Sequence, residues 1–315
     1  MNFFELRSRL STLFRNDRFR VRLRHVPPDL FDEATRIVAS YSVALVRDDR
    51  LIGSGTLVEI DGRRGILTAH HVASLINFRD ATGSLGICIA DFAHNFQIKS
   101  SFLTHYPIGI PKCEAYGPDL SFIEIPVSPE LSEISAKKSF YSLTVRSVEK
   151  VKGAASNFGF WLAAGCPDEL VHGDEPTNDF SHVIAMPGIG ACTGIERRRR
   201  KSGFDYFDVG VDYGGESESV NNFGGMSGGG VWRFDLIQGN EANSPIRLGK
   251  PYLCGVVFWQ SGIKRRHRVL RAHGHNSIYR LTVKLREVTP ANFLAILQSW
   301  LRRIGIWNGR ERGRL

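Results

Sequence analysis

From residue 41 onward the chain is broken into short apolar runs with a two-residue beat, punctuated by turn-forming residues, and this pattern excludes most architectures. SVALVR (42–47), LIGSGTLVEI (51–60) and RRGILTAHHV (63–72) are separated by Asp-Asp-Arg and Asp-Gly, which predicts a three-strand meander. LGICIA (85–90), FQIKSSFLTHY (96–106) and LSFIEIP (120–126) add three strands, enough to close a small barrel. A polar stretch at 128–150 follows. A second series then runs through FGFWLAAGCP (158–167), HVIAMPGIGACTGI (182–195), FDYFDVGVDY (204–213), GGGVWRFDL (228–236), PYLCGVVFW (251–259) and SIYRLTVKL (277–285). The predicted fold is all-β, two antiparallel six-stranded β-barrels. No run is long enough to span a bilayer as a helix.

Helical periodicity is confined to the edges. Phe3, Leu6, Leu10, Leu13 and Phe14 recur at helical spacing between arginines, predicting a basic amphipathic arm that Pro27-Pro28 ends. DLFDEATRIVAS at 29–40 reads as a short helix. Thr289-Pro290 caps a last helix whose buried stripe is Phe293, Leu297, Trp300 and Ile304. The expected organisation is an N-terminal arm (1–35), a first barrel (36–130), a linker (131–155), a second barrel with its C-terminal helix (156–305) and a basic tail (306–315).

Charge and cysteines bound the setting. The 315 residues carry +9, but residues 1–24, 196–201, 264–271 and 302–315 alone carry +18, so the rest of the chain carries −9. ERRRRK (196–201) and KRRHRVLR (264–271) read as Arg-rich loops able to meet an anionic regulator or a nucleic acid. No aromatic-interleaved RNA motif accompanies them. Cys88, Cys113, Cys166, Cys192 and Cys254 are an odd set without a CxxC pair, which argues against a zinc site and a full disulfide framework. With no secretory h-region at the N-terminus, the expectation is a reduced, cytoplasmic protein. No metal and no cofactor are expected.

Three stretches carry chemistry. In FGGMSGGGVW (223–232), glycines flank Ser227 on both sides. Glycine lets a backbone turn sharply, and a serine on such a turn has the layout of a nucleophile beside outward-pointing N–H groups. TAHHV (68–72) places histidines after an apolar run, and Asp119 opens the strand of GPDLSFIEI (117–125). Serine needs a base, and the base needs an orienting carboxylate. Histidine, aspartate and serine in this chain order match the Ser-His-Asp arrangement.

These stretches resemble the trypsin-like (chymotrypsin-fold) serine proteases, above all the disulfide-free bacterial branch that includes HtrA-type enzymes. The T-A-x-H motif stands as Thr68, Ala69, His70, His71; the D-[IL]-[AS] strand as Asp119-Leu120-Ser121; and G-x-S-G-G as Gly225, Met226, Ser227, Gly228, Gly229. The resemblance covers roughly residues 36–305 and implies His71 as base, Asp119 as its partner and Ser227 as nucleophile. It implies an oxyanion hole at Gly225, Met226 and Ser227, with the Gly225 and Ser227 amides as donors. Substrate binding falls to Asn221 and to the Phe258-Trp259-Gln260 strand, the substrate being a protein or peptide. His70 is then a structural neighbour, and the other eight histidines, His267, His273 and His275 among them, read as surface residues.

The sequence departs from animal relatives at Met226, where they carry an aspartate that pairs with a trimmed N-terminus, and at Val72, where they carry cysteine. Phe258 and Gln260 replace small residues, and Gln260 is expected to narrow the specificity pocket. GMSGG also matches the nucleophile elbow of α/β-hydrolase esterases, but that motif requires a helix after the serine and the acid and histidine downstream. The other alternative is a catalytically idle protease-fold binding module acting through its basic surface.

Overall fold

The computed structural model describes residues 20–21, 26–48, 50–89, 95–110, 117–143, 148–156, 158–173, 183–185, 188–211, 222–238, 245–262 and 268–279. The expected arm helix (but for 20–21), Cys113, Asn221, residues 264–267, the C-terminal helix and the basic tail lie outside the described residues.

The chain enters through β1 (Arg20–Val21) and α1 (Pro28–Ala39). Pro28 sits where its missing N–H costs nothing, and Leu30, Ala34 and Val38, four apart, form the buried stripe of α1. The first sheet is built from β2 (Ser42–Arg47), β3 (Arg50–Ile60), β4 (Arg63–Thr68), β5 (Ser84–Cys88), β6 (Asn95–Lys99), β7 (Thr104–Gly109) and β8 (Leu120–Glu124). α2 (His70–Ser74) lies between β4 and β5. The Asp61-Gly62 turn joining β3 and β4 has φ of 49° and 82°, the left-handed pair that a two-residue hairpin needs. Strand order is β6-β5-β2-β3-β4-β8-β7.

That sheet is a curled half-barrel, where the sequence predicts a closed one. The expected single strand at 96–106 is split into β6 and β7 by a 3-10 turn at Ser100–Phe102, and among the described residues these end strands do not pair. The predicted strand at 63–72 stops at Thr68, and both histidines fall on α2.

The connection carries α3 (Pro129–Lys137), β9 (Tyr141–Ser142), which pairs in parallel with β3, and α4 (Val148–Ala155). The second half holds β10 (Gly159–Gly165), the small β11–β12 ribbon (Val171–Gly173 and Val183–Ala185), β13 (Gly188–Lys201), β14 (Phe204–Val211), β15 (Gly230–Gln238), β16 (Ile246–Gln260), β17 (Val269–Gly274) and α5 (His275–Tyr279). Here the sheet does close. The order β10-β13-β14-β17-β16-β15 returns to β10 through pairs such as Leu162↔Trp232. Ser277–Tyr279, expected to open a strand, are helical because Asp205 accepts the N–H groups of Asn276 and Ser277 (3.1 and 2.6 Å).

The Arg-rich segment 196–201 is not a loop. Residues 196–201 are the outer half of β13, turned back by Ser202-Gly203 (φ 52° and 80°) into β14. On the partner strand Arg200 lies opposite Asp205 and Arg197 opposite Asp208, while Arg199 reaches the Asp208 carboxylate. Of 264–271, the described part is Arg268 followed by the start of β17, with Arg268 and Arg271 buried. The Asp208 carboxylate takes both Arg199 (2.9 Å) and Arg271 (2.8 Å), and Arg271 stacks on Trp259 at 4.5 Å.

The two halves share one core. Leu57, Ile66 and Ile123 point into the half-barrel, whereas their neighbours Val58, Leu67 and Phe122 pack with Trp161, Leu162 and Trp232 of the closed barrel. The four described cysteines are buried, and burial pushes the Cys166 and Cys254 thiols up to about 12.

Candidate active site

β4 runs into the sheet's interior and ends at Thr68, and α2 begins at once, so His71 emerges at the edge of the half-barrel. Asp119 directly precedes β8, which pairs with β4 through Thr68↔Ser121. Strand pairing thus sets the two side chains together across 48 residues of sequence. Asp119 is fully buried and makes a two-pronged contact with His71: one oxygen accepts the His71 N–H at 2.9 Å, the other meets Nδ1 at 2.6 Å. With Nδ1 taken up, Nε2 is the ring nitrogen left to accept a proton.

Ser227 lies on a turn of the closed barrel. Gly225 and Gly228 have φ of 80° and 94°, and a Cβ on either would run into backbone carbonyls of Cys166 and Ser54 respectively. The Met226 N–H is directed to the Phe223 carbonyl (3.1 Å), so of the three expected oxyanion residues Met226 has its donor occupied. Among the described residues the N–H groups of Gly225 and Ser227 have no such acceptor. β15 follows Ser227 as a strand, not a helix, which is incompatible with a nucleophile elbow.

His71 and Ser227 wall the same cleft, of about 220 Å³, with Phe223, Gly224, Val257, Phe258, Trp259 and Gln260. The Gln260 carboxamide accepts from the Phe223 N–H (2.9 Å) and from Arg268, and donates to Asn222 (2.7 Å). It therefore ties the serine turn to the end of β16. A larger, open depression of about 470 Å³ beside α1 has no histidine on its wall.

Several partners of the site are not apparent from sequence. Ser54 of β3 grips the serine turn: its Oγ donates to the Gly225 carbonyl (2.6 Å) and accepts from the Cys166 N–H (2.7 Å), while its own N–H donates to the Ser227 carbonyl (2.8 Å). The only hint is the small-residue run Gly53-Ser54-Gly55 inside a strand, a mark of close backbone approach. His70 is turned to Ser121 (2.9 Å), which also meets His105 (3.0 Å). Burial lowers the proton affinity of His70 and brings His105 down to about 4. Neither His105 nor His273 is a surface residue: His273 is fully buried and its Nε2 accepts the Asp119 N–H at 2.9 Å.

Among the described residues no helix is long and apolar enough to cross a membrane, and no three His, Cys, Asp or Glu side chains are placed to hold a metal ion. No protein-family model matches the chain, and no curated protein sequence matches it.

Proposed function

We propose that the chain is a serine endopeptidase with a chymotrypsin-like fold, in which the half-barrel is the counterpart of the family's first barrel and residues 36–130 and 156–305 are its two halves. One observation carries this reading: a buried aspartate grips His71 at two atoms, and His71 shares a cleft with a serine on a glycine turn. Ser227 Oγ attacks the peptide carbonyl carbon as its proton passes to His71 Nε2, and Asp119 stabilises the imidazolium while remaining a carboxylate. The oxyanion forms against the Gly225 and Ser227 N–H groups. His71 then delivers the proton to the leaving amine, the C–N bond breaks, and water attacks the acyl-serine ester with His71 again as base. No metal or cofactor has a role in these steps. Phe258, Trp259 and Gln260 bind the substrate strand, a role also proposed for Asn221.

The test is covalent labelling by a fluorophosphonate. Wild type should label at Ser227, Ser227→Ala should not label and should melt at nearly the same temperature, and His71→Ala should slow labelling and peptide turnover by about 10³-fold or more. Unlabelled, folded wild type would leave an idle protease-fold binding module as the better account.

The exposed cations of β13 extend the proposal to partners. Arg197, Arg198 and Arg200 stand exposed on the β13–β14 hairpin. They are proposed to recruit an anionic regulator or nucleic acid in a reducing, cytoplasmic setting. Changing Arg197, Arg198 and Arg200 to serine should leave cleavage of a short neutral peptide unchanged and cause a salt-sensitive loss on a protein substrate. Equal rates on both substrates would make these arginines ordinary surface.

A further inference from the structure

The Asp119 N–H is buried, and a buried backbone donor requires an acceptor. A nearby carbonyl would be the usual choice. Here the acceptor is a side chain from the other half of the molecule: His273 on β17, whose Nε2 lies 2.9 Å away. This bond spans 154 residues of sequence and joins the half-barrel to the closed barrel at the base of the His71–Asp119 pair.

The surroundings of the ring define its state. Phe258, Tyr206 and Phe204 enclose it at centroid distances of 4.8, 5.0 and 5.7 Å. Nδ1 has no hydrogen-bond partner among the described residues. A ring nitrogen that accepts an N–H must carry its lone pair, so the proton sits on Nδ1 and the imidazole is neutral. Charging it would set two N–H donors against each other inside an aromatic box. Burial accordingly holds its proton affinity down, to about 4, although the Asp119 and Asp205 carboxylates act in the opposite sense. A phenyl ring would fill this box without leaving a nitrogen unpartnered. The one thing imidazole adds is the Nε2 lone pair aimed at Asp119.

We propose that His273 is a positioning residue for the triad: its neutral Nε2 holds the Asp119 peptide across the two halves, keeping both carboxylate oxygens in register with His71. This rests on the endopeptidase reading. If the peptide drifts, the carboxylate oxygens lose alignment with the His71 N–H and Nδ1, and the imidazolium formed during attack is less well stabilised. Besides Asp119, the neighbouring His70, bonded to Ser121, acts electrostatically on His71 among the described residues.

The experiment compares His273→Phe, which keeps the ring and loses the acceptor, with His273→Gln, whose carboxamide oxygen can accept. Melting temperature, fluorophosphonate labelling rate, and kcat and KM on a peptide are followed against pH. The Phe variant should remain folded, lose about 10- to 100-fold in kcat with little change in KM, and move the acid limb of its rate profile to lower pH. The Gln variant should recover most of the rate and the wild-type pH profile. A Phe variant with wild-type kcat and pH profile would overturn the proposal, as would equal losses in both variants that track their melting temperatures. Nitrogen-15 spectra of the wild-type imidazole provide a readout independent of both variants and of activity: Nδ1 protonated and Nε2 unprotonated at neutral pH is expected, and a protonated Nε2 overturns it. Absence of labelling in folded wild type would count against the endopeptidase reading alone, with the nitrogen-15 result still deciding the His273–Asp119 bond.

Discussion

A single hydroxyl outside the triad motifs, that of Ser54, bridges two backbone segments of the candidate site. It is fully buried, and its Oγ sits between the Gly225 carbonyl and the Cys166 N–H. Replacing it by alanine leaves both backbone groups without a partner away from water, at a cost of about 1–3 kcal/mol. It also releases the carbonyl side of Gly225, the residue whose own N–H, on the preceding peptide, is one of the two proposed oxyanion donors. Ser54→Ala should therefore lower the melting temperature modestly and reduce the labelling rate disproportionately, measured on the same preparation. A variant that is destabilised yet labels at the wild-type rate would show that the turn keeps its shape unaided. Thr56, which donates to the Gly228 carbonyl at 3.2 Å, is a secondary tether from the same strand.

At the scale of elements, the β13–β14 hairpin shows what composition conceals. Four arginines and a lysine in a row read as a solvated loop, because neither their pairing with the following strand nor the Asp208 contact that takes up Arg199 shows in a local window. Asp208 is the hub, nearly buried between Arg199 and Arg271. Asp208→Asn removes the shared anion from two arginines, one of them buried, and should cost about 3–5 kcal/mol, read as a shift in the denaturant midpoint. A loss under about 1 kcal/mol would mean that the arginines find water or other acids instead. The same contrast runs through the chain. Short apolar strands bounded by turn residues, such as β2 and β8, were legible, and so were Asp119, His71 and Ser227 as candidates, since glycine turns and strand ends mark them locally. The half-barrel's open edge was not, because it depends on a 3-10 turn at two ordinary serines, Ser100 and Ser101. His273 was hidden for a related reason: in RRHRVLRAHG it stands among arginines, and only the closure of β17 between β14 and β16 puts it inside.

For the whole molecule, the buried histidines tie stability to pH. His105 and His273 are both brought down by burial from an ordinary value of 6.5 to about 4. Below about 6.5 the unfolded chain binds protons at these rings that the folded chain refuses, so stability must rise with pH through that window. The melting temperature should fall between pH 6.5 and 5, before most carboxylates titrate, and His105→Gln should fall less steeply than wild type. A flat profile over that range would mean that both rings are charged, or exposed, in the folded protein.

The shared core has a consequence for how this protein can vary. β3, β4 and β8 show nearly unbroken burial rather than alternation, since one face of each looks into the half-barrel and the other into the closed barrel. On β6, by contrast, Phe96 and Ile98 are buried while Gln97 and Lys99 are exposed. Drift through neutral change is therefore open to every second position of β6 and closed to nearly every position of the three inner strands. A saturation library selected for folding should recover polar residues at 97 and 99 and almost none at 57, 58, 66, 67, 122 or 123. The strands that bring His71 and Asp119 together would be the slowest part of this sequence to diverge, for reasons of packing alone and whatever the cleft does.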